Sequence, residues 1–253
     1  MAKLRRRAAL ALVLTVVLGA GLSACNSGGE SGHSSAKAEA VDLPPLSELT
    51  PLADPKTYEG PTTAVIGGPS IEPLADPPES ELPVTVVSKD RGGDKEIEVE
   101  DTSRVLALSL SGTLGEMVYA YGMGDRLVGR DISTNFPGAE KLPIITRDGH
   151  SIDGEAVLAL NPSLIITDGS IGPTDVVLQL RDAGVPVVTV DRAVDPETSY
   201  TTMQEVADAL GIGSVAPALI DTLKQAIADK EAEVQRLMPA EEAKRPRVAF
   251  LYI

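Results

Sequence analysis

Between residues 104 and 211 the chain repeats one pattern, and it leaves few folds open. Short apolar runs, "RVLAL", "RLVGRD", "SLIIT" and "PVVTV", alternate with segments of ten to fifteen residues that carry apolar groups at helical spacing. Those segments are "SGTLGEMVYAYG", "SIDGEAVLALN", "PTDVVLQLRDAG" and "ETSYTTMQEVADALG". Several end on glycine or just before proline, as helices do. Strands of this length separated by such helices make βαβ units around a parallel sheet, so an α/β lobe is predicted. Met117, Val118 and Tyr121 fall on the buried face of the first helix, and Ala156, Val157 and Leu160 on that of the second. Upstream, "VTVVS" and "KEIEVE" flank the glycine-containing turn "KDRGGD" and read as a β-hairpin that opens the ordered lobe, which fills residues 83–211.

The pattern then changes. "SVAPALIDTLKQAIADKEAEVQRLM" runs for more than twenty residues with Leu219, Leu223, Ile227 and Val234 near one face, on the order of 35 Å of helix. That is longer than a small sheet needs. Residues 212–239 are assigned to this helix. "PRVAFLYI" follows, with residues 247–253 read as a buried-type strand that has no turn or partner after it. The expectation is that this strand opens a second lobe lying beyond residue 253.

The N-terminus reports the compartment. Lys3, Arg5, Arg6 and Arg7 precede an apolar run from Ala8 to Leu18, which is too short to span a bilayer, and "LSAC" places small residues before Cys25. Residues 1–24 read as an export signal cut before Cys25, whose thiol then carries acyl chains that hold the protein on the outer face of the cell membrane. Cys25 is the only cysteine, so no intramolecular disulfide can form. Residues 25–82, rich in Ser, Gly, Pro, Ala and Glu, show no sustained period and read as a disordered tether. The formal charge of −15 opposes nucleic-acid binding, which needs a basic footprint.

Only two histidines occur. His33 lies in the tether. His150 lies in "RDGHS", a glycine-containing loop just before a helix. A lone imidazole is too few for a zinc or manganese site, which wants several His and carboxylate donors. No nucleophile elbow, phosphate-binding glycine loop, H-E-x-x-H or paired-cysteine motif is present, so an enzyme is not expected.

"RVLALSLSGTLGEMVYAYGMGDRLVGRD" and "LPIITRDGHSIDGEAVLALNPSLIIT" resemble the opening units of the substrate-binding proteins that serve ABC importers of iron-siderophores, haem and cobalamin. The likeness extends over about residues 100–253. It implies two α/β lobes joined by one long helix, with only the first lobe, the helix and the first strand of the second lobe present here. Within that family the chain is most similar to the haem-binding lipoproteins of actinobacterial haem importers. That likeness implies His150 and Tyr252 as axial ligands of haem iron, with Arg147, Asp148, Gly149 and Ser151 in the pocket and Glu155 docking the lobe on the ABC permease. An arginine that supports the phenolate in the family would fall past Ile253. Asn135 and Phe136 sit where such clefts are lined, whereas Tyr119 and Tyr121 read as core or rim.

The chemistry agrees. Imidazole, titrating near pH 6.5, is neutral and able to coordinate at neutral pH, and Tyr phenolate is likewise a known haem ligand. Phenol must lose its proton to bind Fe³⁺ well, which a nearby cation favours. A ferric siderophore or cobalamin cargo is the alternative within the family. A structural or adhesive lipoprotein without a small ligand is the alternative outside it.

Overall fold

The computed structural model describes residues 44–61, 71, 73 and 76–249. The export signal, Cys25, His33 and Tyr252 lie outside the described residues. Single 3-10 turns occur at Leu46–Glu48 and Pro55–Thr57.

The lobe opens with the predicted hairpin, β1 (Val84–Ser88) and β2 (Lys95–Val99), antiparallel with Val86 opposite Ile97. Next come β3 (Val105–Leu108), α1 (Thr113–Ala120), the two-residue strands β4 (Thr146–Arg147) and β5 (Ser151–Ile152), and α2 (Gly154–Ala159). They are followed by β6 (Leu164–Thr167), α3 (Thr174–Asp182), β7 (Val187–Thr189), α4 (Pro196–Ala209) and α5 (Ala216–Leu237). β3, β6 and β7 form a parallel sheet in that order, with Leu106 level with Ile165 and Ile166 level with Val188.

Strand alternation sorts the core into two layers. Val105, Ala107, Leu164, Ile166 and Val188 face one way, onto α1, α4 and the start of α5. Leu106, Leu108, Ile165 and Val187 face the other, onto Val157 of α2 and Leu180 of α3. Both faces of β3, β6 and β7 are therefore largely apolar, as a sheet covered on both sides requires.

Three expectations change in detail. "RLVGRD" forms no ladder. The Val128 N–H donates to Val105 O, while Arg130 donates to Pro143 O and accepts from Ile145 N–H. The segment thus divides its bonds between β3 and residues 143–145, and a proline there cannot return a donor. Gly129 fits because a Cβ would fall 2.6 Å from Leu160 Cδ1. The second predicted helix is a turn and a half, because Ser151 and Ile152 are taken by β5. Asp153 caps it by accepting from Ala156 N–H, and Asn161 leaves it at φ 45° just before Pro162. Finally, the described part of "PRVAFLYI", residues 246–249, carries no strand.

The β1–β2 hairpin is stapled to the sheet by a largely buried ion pair. Arg181 of α3 donates from Nη2 to Asp90 Oδ1 at 3.1 Å and to Val187 O at 2.7 Å, and Ser88 Oγ donates to Asp90 at 2.7 Å. The Arg181 guanidinium holds the Asp90 carboxyl down at about 2. Of α5, Ala216, Leu219 and Ile220 are buried and Leu223 and Ile227 rest on the core, whereas Val234 is 44% exposed. Lys224 lies 4.8 Å over the Tyr200 ring, joining α5 to α4.

Candidate functional site

In open parallel sheets ligands meet the loops that leave the carboxyl ends of the strands. Here those loops carry exposed apolar groups: Leu110 after β3, Ile132 after the 127–130 segment and Val194 after β7.

One carboxylate ties that end together. Asp131, fully buried, accepts from the backbone N–H groups of Ser109, Ser133 and Thr134 at 3.1, 2.8 and 2.9 Å. The loop after β3 is thereby fastened to the loop after residue 130. Gly112 sits in this knot at φ 77°, where a Cβ would come within 2.5 Å of Ser133 O, so only glycine fits. Ser170 Oγ accepts from Leu110 N–H at 2.8 Å and brings the loop after β6 into the same frame.

His150 follows a tight turn in a hairpin whose base is rooted in the loop after β6, the loop that carries Ser170. In the β4–β5 hairpin Arg147 stands opposite Ser151, and Asp148 (φ 47°) and Gly149 (φ 86°) reverse the chain. Gly149 answers a conformational need, since a Cβ there would meet nothing within 4 Å. The base of the hairpin is fixed, because Ile152 N–H donates to Gly172 O at 2.6 Å. Residues 147–151 are all exposed, and among the described residues the His150 side chain has no hydrogen-bond or ion-pair partner.

Arg147, Asp148, Ser151 and Glu155 line one open cleft of about 480 Å³ between this hairpin, α2 and α3. Gly149 and His150 are next to it in the chain and are not among its lining. Arg147 is paired across the cleft wall with Asp153, Nη2 to Oδ2 at 2.5 Å, and remains 71% exposed. Such a pair is worth about 0–1 kcal/mol and gives way readily to another carboxylate. Glu155 is exposed in the first turn of α2, where an acid is favoured by the helix field.

Two aromatic expectations separate. Tyr121 is core as predicted, its hydroxyl donating to Met203 O at 2.9 Å. Phe136, predicted to line the cleft, is instead buried, edge-on to Tyr119 with centroids 5.1 Å apart. The apolar drive of a phenyl ring toward the core prevails over its place in the loop, while Asn135 beside it is exposed. Asp131 was not singled out by sequence reasoning. Its signal was there, in an Asp followed by Ser and Thr at the end of an extended segment, a pattern that turns a chain through side-chain bonds to its own backbone.

Three comparisons bear on the identity of this lobe. A Bacillus subtilis (strain 168) protein described as an uncharacterized ABC transporter substrate-binding lipoprotein, YvrC, is 26% identical over 160 residues, 62% of this chain and 50% of its own. A vitamin B12-binding protein of Yersinia pestis (strain Pestoides F) is 32% identical over 95 residues, 38% of this chain and 33% of its own. The crystal structure of the heme binding protein HmuT superposes with a TM-score of 0.67 at 30% identity, covering 74% of this chain and 60% of that one. The chain thus spans half or less of the length of these curated relatives. The family model described as periplasmic binding protein matches residues 108–251, more than half of the chain, and the chain accordingly belongs to the periplasmic binding protein family, whose members bind ligands rather than transform them.

Proposed function

We propose that this chain is the first lobe and connecting helix of an extracytoplasmic carrier that takes up haem and delivers it to an ABC permease. His150 supplies one axial bond to the iron and Tyr252 the other, Cys25 is acylated and holds the protein on the membrane, and Glu155 docks the lobe on the permease. The observation that carries this reading is the setting of His150: an exposed imidazole with no partner, on a hairpin rooted beside a preformed and partly apolar loop frame. A histidine with nothing to bind is poised for a ligand, and neutral imidazole is a ready donor to haem iron. The solved HmuT structures add support, since they include separate alanine replacements of a histidine, a tyrosine and an arginine. Burial of the porphyrin would supply most of the affinity and the axial bonds would orient it. Arg147 would leave Asp153 for a propionate, and Asp148, Gly149 and Ser151 would border the macrocycle.

The test is an absorption titration of the chain from Asn26 to Ile253 with ferric haem. A saturable Soret shift is expected, with at least a tenfold loss of affinity in His150→Ala and a changed spectrum in Tyr252→Phe. Binding that ignores His150→Ala would leave a carrier with a different site. The match to a B12-binding protein favours cobalamin as a second reading, and a parallel titration with cyanocobalamin separates the two. Saturation by cobalamin without any Soret shift from haem would overturn the haem assignment.

A further inference from the structure

A second cavity, of about 260 Å³, lies on the opposite face of α3 from the cleft and shares no lining residue with it. Its walls come from the β1–β2 turn, the carboxyl ends of β6 and β7, and α3. Ile171, Val177 and Leu178 make an apolar side, with Leu178 46% exposed. Three basic residues, Arg91, Lys95 and Arg181, line it against one acid, Asp90, in a chain whose overall charge is −15. A cationic pocket on so acidic a protein is a local exception that its own field does not favour.

The charges are not equally available. Asp90 is saturated, receiving Arg181, Ser88 Oγ and Thr189 Oγ1, and Arg181 is committed to holding it. Lys95 Nζ stands 3.5 Å from the same carboxylate and is exposed. Arg91 meets no carboxylate among the described residues, and its one bond is a long one, 3.5 Å from Nη2 to Gly169 O. The nearest acid after β6, Asp168, is turned onto the N–H and hydroxyl of Ser170. Two cations therefore stand with spare donors beside an apolar wall.

We propose that this cavity binds a small organic anion, its carboxylate held by Arg91 and Lys95 and its compact apolar body set against Ile171, Val177 and Leu178. The volume lies below the roughly 300–1,000 Å³ typical of sites for drug-sized ligands, so the cavity suits an aromatic or short-chain carboxylic acid better than haem or cobalamin. The site does not depend on the haem reading and would stand if that reading failed.

Benzoate is a suitable probe, titrated into the isotopically labelled 253-residue chain and followed through its backbone amide signals. Saturable shifts are expected at Gly92, Gly169 and Ile171. Affinity should fall at least tenfold for neutral benzamide, which has the same shape, and at least tenfold in the Arg91→Ala/Lys95→Ala double variant. Both side chains are exposed, and superposition of the remaining signals establishes that the variant is folded. The benzamide comparison needs no variant at all. No saturable shift with benzoate, shifts centred elsewhere, equal affinity for benzamide, or equal affinity for inorganic phosphate would each overturn the proposal, the last by showing that charge alone is recognised. His150→Ala should leave benzoate binding unchanged.

Discussion

Tyr121 illustrates how much a single polar atom governs here. Its ring is fully buried and its hydroxyl donates to Met203 O, so burial keeps the phenol well above its usual range and uncharged. Tyr121→Phe would leave the Met203 carbonyl without its donor, and a loss of about 1 kcal/mol in denaturant unfolding is expected. Asp90 gives the pH counterpart. Arg181 holds its carboxyl at about 2, below the ordinary 3.8 of the unfolded chain. Because the folded value is the lower one, the stabilisation is complete above about pH 4 and disappears as pH falls toward 2. It amounts to roughly 2 kcal/mol. Melting temperature measured against pH should fall through that window, and Asp90→Asn should flatten the fall. The Asp90–Arg181 pair and the bond from Ser109 N–H to Asp131 were not legible in the sequence, because each joins residues far apart along the chain, whereas the local half of the Asp131 knot carried a turn signal. The turn that carries His150 was legible, since a glycine beside a short polar run is a local property.

Among the elements, β3, β6, β7 and α4 follow their apolar patterns closely, because both faces of each strand are covered and the pattern then has one solution. The 127–130 segment and α2 do not, since their lengths are set by neighbours: Pro143 on one side, and on the other the hairpin that claims Ser151 and Ile152. α5 follows its pattern over its first half only. Its buried residues end at Ile220 and its last core contact is Ile227, while the short turn Leu46–Glu48 meets it near Glu233 and Leu237, so the far half of a 22-residue helix of about 33 Å is held lightly. Amide hydrogen exchange should show the segment from Leu219 to Leu223 protected to the level of α4, and that from Ala228 to Gln235 exchanging at least a hundredfold faster. Equal protection along the helix would show that another surface covers the far end.

For the whole molecule, the parallel-sheet lobe was the easiest property to read, because the helical period repeats four times and three of those helices stop at glycine. The cargo was the hardest, because the same fold serves chemically different ligands. Membrane attachment rests on the N-terminal 25 residues, which lie outside the described structure. If Cys25 carries the acyl chains, Cys25→Ser should move the protein from the membrane fraction to the soluble fraction, and mass spectrometry of the native protein should show the added lipid. No helix among the described residues is long and apolar enough to cross a membrane.

The Asp131 knot has a consequence for speed. Loops that carry a binding surface usually fluctuate and settle around what they catch, so association waits on a rearrangement. Here one carboxylate already clasps two of those loops, and Ser170 braces a third. Under the proposed function, a molecule arriving at that end would meet loops that are already tied and would forfeit little affinity to ordering them. On the proposed carrier reading, capture would then be governed by how often the molecule and the lobe collide.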